Sequence, residues 1–372
     1  MPNAELRTIS LDEFQSGDYA RKCAIARTFN QAMRRTGFFY LSGHGISEEL
    51  VASTYAAAKE FFDRSEEYKR GFLEGGFGAK GYHPWGTERQ AQAHTAEDSD
   101  DTSVDGMIAD MVEDFMYSIH GGTDHEEYES RLPAEFKRIL QNYTTQVAAV
   151  RQEFLKIASL ALQLADADLT ADDSELATTN ESPSNEDLLK TNLFGEMFRK
   201  GGDGEMGHVH SLRINNYFDL SGVENATRGF RLGEHSDYAG FTVLNAEDVR
   251  GLQVKVDGQW FAVRPRANTF LVNAGLVIKM ITNGYWHSSS HRVAATATER
   301  RTSLALFSAP DPETMIGPLR GCRVCSAEPF KYSRVSVREH IHHCFQTASN
   351  RGEDDDEAEE TITIVGKMNR KL

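Results

Sequence analysis

The sequence is poor in cysteine and in basic residues, and it lacks a long apolar run. Four cysteines in 372 residues are too few and too scattered for a disulfide framework, which favours a reducing, cytoplasmic location. A formal net charge of −16 excludes a general nucleic-acid binder and argues against an anionic membrane surface as a partner. The longest apolar stretch, Thr269–Ile278, is interrupted by Asn273 and is shorter than the ~20 residues that span a bilayer. The first ten residues show no secretory signal pattern.

Patterns in the first half predict helices with one buried strand. Ala24–Arg35 is helix-like, and the apolar run Gly37–Leu41 before a glycine turn predicts a strand. Ser47 is expected to cap a helix that continues through Phe62. Apolar residues at steps of three and four from Phe136 to Leu164 predict a long, core-facing helix.

Three acidic or polar segments interrupt this pattern. Asp166–Asp187 is expected to be a solvated loop, Ala96–Asp105 a loop insert and Glu353–Glu360 a disordered tail.

From Leu212 onwards, short β-type runs separated by turn residues dominate the sequence, and Arg334–Ala348 is expected to close the fold as a helix. Many short strands at regular spacing indicate a sandwich or barrel of jelly-roll type, so the fold class is α+β. The predicted strands are Arg213–Phe218, Phe241–Leu244, Leu252–Val256, Trp260–Val263, Thr269–Val272, Ser290–Ala294 and Thr302–Phe307.

Two histidines and one carboxylate form the candidate metal-binding set. His235 and Asp237 are two residues apart, so on a strand they share a face. His291 follows His235 by 56 residues, several predicted strands later. Two histidines with one carboxylate bind one face of a metal and leave positions open, as in non-haem Fe(II) oxygenases.

A second set of side chains is suited to holding a dicarboxylate. Arg301 and Ser303 share one strand face, and Asn215 and Tyr217 share a face of another strand. An arginine fork pairs bidentately with a carboxylate, and hydroxyl groups add further donors. The two sets together fit a diacid that chelates iron at one end and is held by Arg301 at the other.

Ordered motifs from about Ile9 to about Thr347 resemble the isopenicillin N synthase-like branch of the Fe(II)/2-oxoglutarate-dependent dioxygenases. The motifs are Gly37–Ile46, Phe61-Phe62, Gly81-Tyr82, Gly86, Glu88, Leu212–Tyr217, Gly233–Tyr238, Gly251–Val254, Thr282–Gly284 and His291–Val293. One position departs from the family, because Leu276 stands where an aspartate usually follows Asn273-Ala274-Gly275. This departure puts the local geometry in doubt, but not the use of the cofactors.

The resemblance implies Fe(II) on His235, Asp237 and His291 and a double-stranded β-helix core wrapped by helices. It implies 2-oxoglutarate on Arg301 and Ser303, with Tyr217 and Asn215 assisting. O2 then serves to oxidise an aliphatic C–H bond by hydroxylation, desaturation or ring closure, while 2-oxoglutarate leaves as succinate. The implied substrate is a small, free metabolite that is amino-acid-derived or carries a carboxylate, and a monomer is expected.

The same resemblance places the mouth of the substrate pocket at the segment Glu113–Tyr117, the strands of Thr269–Lys279 and Phe307. Phe115, Tyr117, Lys279 and Phe307 are therefore the candidate substrate contacts. Packing roles for the three aromatic residues, and a surface role for the lysine, remain alternatives.

Motifs and composition together divide the chain into five segments. They are an N-terminal α/β region (1–130), a scaffold helix with an acidic loop (131–207), the Fe(II)/2-oxoglutarate core (208–311), a closing helix (312–350) and an acidic tail (351–372).

Other readings of the same residues stay open at this point. Cys322-x2-Cys325 followed by His340 and then His343 or Cys344 matches the ligand spacing of a zinc finger. Two histidines and a carboxylate also occur in zinc hydrolases. A non-catalytic binding module on the same fold is the third alternative.

Overall fold

The computed structural model describes residues 1–74, 79–85, 110–118, 124–172, 192–198, 210–220, 230–295, 299–320, 322–326 and 329–350. The acidic insert Ala96–Asp105, the tail Glu353–Glu360, and the motif residues Gly86 and Glu88 lie outside the described residues. Among the residues described, no helix has the length and apolar character needed to cross a membrane.

Helices pack against the major sheet, and the longest described helix is the one that the apolar stripe predicts. Ser47 accepts a hydrogen bond from the Leu50 amide, which confirms it as an N-cap. The described helices are α1 (Leu11–Ser16), α2 (Tyr19–Arg35), α3 (Glu48–Phe62), α4 (Glu66–Arg70), α5 (Asp124–Arg131), α6 (Ala134–Asp172), α7 (Leu193–Met197), α8 (Leu276–Ile281), α9 (Arg323–Ser326) and α10 (Val337–Asn350).

The strands form two main sheets. The described strands are β1 (Arg7–Ser10), β2 (Phe38–Ser42), β3 (Gly81–His83), β4 (Val112–Ser118), β5 (His210–Tyr217), β6 (Phe230–His235), β7 (Phe241–Ala246), β8 (Leu252–Val256), β9 (Gln259–Ala262), β10 (Phe270–Ala274), β11 (His291–Ala294), β12 (Arg301–Ser308), β13 (Met315–Ile316) and β14 (Val335–Ser336).

The major sheet has the strand order β1-β2-β10-β7-β12-β5-β4-β3, and the minor sheet has the order β6-β11-β8-β9. All the pairings within these sheets are antiparallel except β1 with β2. Apolar side chains from both sheets, among them Tyr217, Leu232, Val254 and Leu271, pack against one another. A larger apolar cluster joins the major sheet to α2, α3 and α6. The expected α+β jelly roll with flanking helices is therefore confirmed.

Several predicted element boundaries are shifted in the structure, and two of the shifts change the description of a segment. Helix α6 continues to Asp172, so the first residues of the expected Asp166–Asp187 loop are helical, and residues 173–187 lie outside the described part. The apolar stripe runs on through Leu164 and Ala165, which are buried, and this extends the helix. The closing helix begins at Val337, because residues 335 and 336 pair with β13.

Lys279 lies on helix α8 and not on a strand. The run from Leu276 to Ile281 is rich in residues that favour strands. It follows Gly275, where the backbone comes so close to Ala239 that a Cβ would lie 2.3 Å from the Ala239 carbonyl oxygen. The Leu276 and Val277 amides bond to the carbonyls of Asp237 and Ala239 instead of to a neighbouring strand. Tertiary contacts therefore override the local preference for a strand.

Candidate metal centre

The pairing of two minor-sheet strands brings the predicted triad together. His235 ends β6, His291 begins β11, and the two residues are direct partners in the antiparallel register. Asp237 lies two residues beyond the end of β6 and not on the strand as expected. Its Oδ1 lies 3.9 Å from His235 Nε2 and 3.7 Å from His291 Nε2. One ligand atom from each of the three side chains falls within 4.8 Å of the others.

Backbone carbonyls fix the orientation of both imidazole rings. Nδ1 of His235 lies 2.9 Å from the Gly233 oxygen, and Nδ1 of His291 lies 3.4 Å from the Ser289 oxygen. A carbonyl oxygen only accepts hydrogen bonds, so Nδ1 carries the proton in each ring. Nε2 of each ring therefore faces Asp237, as metal ligation requires.

Asp237 is oriented in the same way from the opposite side. Its Oδ2 accepts hydrogen bonds from Thr242 Oγ1 and Asn273 Nδ2, both at 2.6 Å. Because Oδ2 is occupied by these donors, Oδ1 remains for a cation. These partners are the outer hydrogen bonds that orient metal-binding carboxylates.

The protonation states at the triad suit a cation. Burial by itself would raise the pKa of Asp237, but His291, His235 and the hydrogen bonds from Asn273 and Thr242 hold the pKa of this carboxyl below its usual value. Burial, with the neighbouring His235, lowers the pKa of His291 to about 4. The site therefore presents an ionised carboxylate beside a neutral imidazole, the forms that bind metal ions.

The pairing of β12 with β5 assembles the second predicted set. Arg301 lies opposite Tyr217, and Ser303 lies opposite Asn215. The Ser303 hydroxyl accepts hydrogen bonds from Arg301 Nη1 at 3.3 Å and Asn215 Nδ2 at 3.4 Å. The guanidinium carbon of Arg301 lies 4.8 Å from the centre of the Tyr217 ring, so this tyrosine contacts the arginine through its ring face.

Buried polar atoms in this second set lack a partner within the protein. Arg301 is 1% exposed, and neither its Nε nor Oδ1 of Asn215 makes a hydrogen bond. A buried guanidinium donor without an acceptor is unfavourable unless a ligand supplies one. The arrangement therefore fits a bound carboxylate.

One cavity connects the triad with this arginine. This inner cavity, of about 50 Å³, is lined by both sets of side chains and by Arg213, Phe38 and Phe307. The triad and Arg301 thus line the same cavity.

A larger cavity opens beside the triad. This outer cavity, of about 420 Å³, is also lined by His235 and Asp237. Its far wall is helix α10, which contributes Ile341 and Phe345 among its apolar lining and Arg338 and His342 among its polar lining. Arg213 lines both cavities, so the outer cavity combines a mainly apolar surface with basic groups.

Of the four predicted substrate contacts, one lines the two cavities described above and the other three do not. Phe307 lines both cavities. Phe115 faces the helical side of the major sheet, with its ring 4.8 Å from that of Phe61, and Tyr117 donates a hydrogen bond to Glu129. The prediction had the wrong strand face, because side chains alternate along β4 and Met116 is the residue that lines the outer cavity. Lys279, half-buried on α8, is not among the lining residues described for either cavity.

Sequence patterns did not indicate a row of buried, ionisable side chains that lies next to the cavities. Arg213 Nη2 donates to Asp114 Oδ2 at 2.8 Å, and Asp114 Oδ1 lies 2.9 Å from His83 Nδ1. Burial raises the pKa of Asp114, but Arg213 and His83 outweigh it and hold the value below the usual range. Spacing could have indicated Arg213, because it shares a strand face with Asn215 and Tyr217. No sequence pattern singled out Thr242 as a support for Asp237.

The zinc-finger spacing does not produce a four-ligand site. Cys322 and Cys325 lie close together, with their sulfurs 3.0 Å apart, whereas His340 is hydrogen-bonded to the Tyr238 carbonyl. Within the described part of the chain, His235, Asp237 and His291 are the one group of three or more such side chains close enough to share an ion.

Comparisons with known proteins agree with this geometry. Residues 209–310 match the 2OG-Fe(II) oxygenase superfamily, and residues 6–134 match the family described as non-haem dioxygenase in morphine synthesis N-terminal. Thebaine 6-O-demethylase of Papaver somniferum is 27% identical over 289 residues, which are 77% of this chain and 67% of that protein. Gibberellin 20 oxidase 1-D of Triticum aestivum is 26% identical over 332 residues, covering 89% and 79%. The crystal structure of a Neurospora crassa protein in complex with alpha-KG and thymine superposes with a TM-score of 0.71 at 21% identity, covering 92% and 96%.

Proposed function

The chain belongs to the 2OG-Fe(II) oxygenase superfamily, and from that premise we propose which residues carry its chemistry. It is an Fe(II)- and 2-oxoglutarate-dependent oxygenase that uses O2. In our proposal His235, Asp237 and His291 bind the Fe(II). The inner cavity supports this assignment, because the triad and the Arg301–Ser303 pair line it together.

The proposed 2-oxoglutarate site is built around Arg301. The buried guanidinium offers its unpartnered Nε to the carboxylate remote from the metal, and the Ser303 hydroxyl adds a donor next to it. Asn215 and Tyr217 hold the two in place from the neighbouring strand. When bound, Fe(II), 2-oxoglutarate and O2 supply the oxidation of a substrate C–H bond, with release of succinate and CO2. The protein's share is to bind, orient and exclude water.

The proposed substrate is a small metabolite with an apolar body and a carboxylate. Met116, Phe307, Ile341 and Phe345 line the outer cavity with apolar surface next to the triad. Arg213, Arg338 and His342 line the same cavity, so an anionic group has basic partners there. We propose that an aliphatic C–H bond is oxidised by hydroxylation, desaturation or ring closure.

The deciding experiment is a substrate screen read out as succinate. The protein is purified without metal, reconstituted with Fe(II) under anaerobic conditions and mixed with 2-oxoglutarate, O2 and a panel of apolar carboxylic acids. Each acid is paired with its neutral methyl ester as a control. We expect one or more acids to raise succinate release with a matching amount of oxidised product. Wild-type turnover without Fe(II), or in the presence of a chelator, would refute the proposed chemistry.

A monomer in the cytoplasm is the remaining part of the proposal. Each side chain of the two binding sets comes from one chain, so the site needs no second copy. All four cysteines are free thiols, which suits a reducing compartment. Light scattering on the eluting protein measures its mass directly, and a dimer mass would contradict the monomer.

A further inference from the structure

The oxygenase chemistry leaves one reactive cluster unused, the thiols of Cys322 and Cys325. Both are free, their sulfurs are 3.0 Å apart, and Cys325 is buried while Cys322 is partly exposed. We propose that this pair is a reversible dithiol–disulfide site that is oxidised by small disulfides such as glutathione disulfide.

The backbone already holds the two residues in a suitable arrangement. The amides of Cys325 and Ser326 bond to the Cys322 carbonyl at 3.1 and 2.8 Å, so the segment forms a helical turn. Residues three apart in such a turn lie on the same face. A disulfide has a sulfur–sulfur distance of about 2.05 Å. The sulfurs, 3.0 Å apart, are therefore about 1 Å from this bonding distance in a turn that places them side by side.

The surroundings give the two thiols different roles. The hydrogen bond between the two sulfurs lowers the pKa of Cys322, whereas the same hydrogen bond and burial raise the pKa of Cys325. Cys322 is thus the more acidic and the more accessible thiol, which makes it the attacking group. Asp166 accepts hydrogen bonds from the amides of Arg323 and Val324, and its charge opposes ionisation of Cys322.

The exchange balances as two thiol–disulfide steps. The Cys322 thiolate attacks glutathione disulfide, forms a mixed disulfide and releases one glutathione thiolate. Cys325 then loses its proton and attacks the Cys322 sulfur, which releases the second glutathione. The protein loses two protons and two electrons, and glutathione disulfide is reduced to two glutathione molecules.

The position of the pair connects it to the outer cavity. Helix α9 lies between β13 and β14, and β14 leads directly into α10. Cys325 packs in the same apolar cluster as Ile316 and Val337, and Val337 itself lines the outer cavity. We infer that a disulfide at this point acts on the start of α10 through this shared apolar core. We therefore expect oxidation to change the KM for the substrate, a coupling that rests on the proposed function.

Intact mass measurement tests the dithiol site by itself. The full-length protein is equilibrated with glutathione disulfide under anaerobic conditions. We expect a mass loss of two hydrogens that dithiothreitol reverses. Cys325→Ser should retain one glutathione on Cys322, because the resolving thiol is gone, while the control Cys23→Ser should behave like the wild type. A wild-type protein that stays fully reduced, or that keeps a bound glutathione, would overturn the proposal.

Kinetics test the connection to the cavity separately. Between the reduced and oxidised wild type we expect the substrate KM to differ by roughly fivefold, the lower end of typical coupling between distinct sites. The Cys322→Ser/Cys325→Ser variant should show no such difference. Equal KM values in the two redox states would refute the coupling but leave the dithiol site standing. A failure of the oxygenase assignment would instead appear as an absence of Fe(II)-dependent succinate in both states.

Discussion

His291 lies directly opposite His235 in the antiparallel pairing of β11 with β6, and the centres of their rings are 4.3 Å apart. The main-chain register of two strands, and not a flexible loop, therefore sets the spacing of two proposed metal ligands. Phe38 packs against the His291 ring at 5.6 Å and adds a side-chain restraint. A site held in this way is organised before the metal arrives.

His235→Ala should abolish Fe(II) binding and turnover without unfolding the protein. The variant removes one of three proposed ligands. We therefore expect Fe(II) affinity to fall by more than roughly 100-fold, the upper range for residues that only hydrogen-bond to a ligand. Metal analysis of the reconstituted protein and the succinate assay measure it. His343→Ala, a substitution on the exposed side of α10, is the matched control. Full iron content in His235→Ala would show that this histidine is not a ligand.

Thr242→Val should weaken Fe(II) binding by about 10- to 100-fold. Valine keeps the shape of the side chain but removes the hydroxyl that donates to Asp237 Oδ2. The carboxylate then loses one of the two donors that turn Oδ1 towards the histidines. Titration of the metal-free protein with Fe(II) gives the affinity. Thr242→Ser, which keeps the hydroxyl, should restore most of it, and equal affinities for all three proteins would contradict the role of this hydrogen bond.

Arg301→Lys should raise the KM for 2-oxoglutarate far more than it lowers stability. Lysine keeps the charge but loses the planar fork. Loss of a hydrogen bond to a charged group is worth about 1.5–3 kcal/mol, which corresponds to roughly 10- to 150-fold in affinity. Arg300→Lys is the neighbouring control, since Arg300 bonds to Asn216 and Asp63 instead. An unchanged KM in Arg301→Lys would show that another group holds the carboxylate.

The metal-free protein should lose stability as the pH falls below about 6.5, the ordinary value for histidine. Burial lowers the pKa of His44 and His340, and burial with the nearby His235 lowers that of His291 to about 4. Between these lowered pKa values and 6.5, the unfolded chain binds protons that the folded chain does not. The free energy of unfolding therefore rises with pH in this window. Thermal melting from pH 4 to pH 7.5 measures it. A melting temperature that rises on acidification through this window would contradict the expected sign.

The close pairs within the proposed binding sets could be predicted from short spacings, whereas the pairing of β11 with β6 brings His291 to His235 across 56 residues. Arg301 and Ser303 share a strand face whatever the rest of the fold does, and the same holds for Asn215 and Tyr217. Which face of β4 meets the cavity depends instead on how the sheet packs. Phe115 and Met116 are adjacent apolar residues, so the sequence alone does not show which of them faces the cavity. The packing of Phe115 against Phe61 and Phe136 shows that Phe115 faces the helices.

Long-range contacts explain why the supports of Asp237 and the helix α8 were not predicted from the sequence. Nothing local indicates that Thr242 and Asn273 converge on Asp237, because β7 and β10 bring them there from separate parts of the chain. The α8 segment has the composition of a strand, and the contacts of its amides with Asp237 and Ala239 turn it into a helix.

Arg213 should determine the preference for an anionic substrate. Its side chain lines both cavities beside the triad and is paired with Asp114, which also contacts His83. Replacing the arginine alone would leave a buried carboxylate without its main partner, and the resulting instability would obscure the effect on binding. The informative variant is therefore Arg213→Gln/Asp114→Asn, which removes both charges together. A side chain that only supported the fold would alter turnover of acid and ester alike.

For this double variant we expect the preference for a carboxylic acid over its methyl ester to fall by roughly 10-fold or more, as for the loss of a hydrogen bond to a charged group. The KM for 2-oxoglutarate should stay unchanged, because Arg301 and Ser303 are untouched. Ratios of kcat/KM for the acid and the ester measure the preference, since differences in folded fraction cancel in the ratio. Arg338→Gln, on the far wall of the outer cavity, tests whether the charge of α10 contributes separately. An unchanged ratio in the double variant would mean that the substrate's charged group is held at α10 or lies outside both cavities.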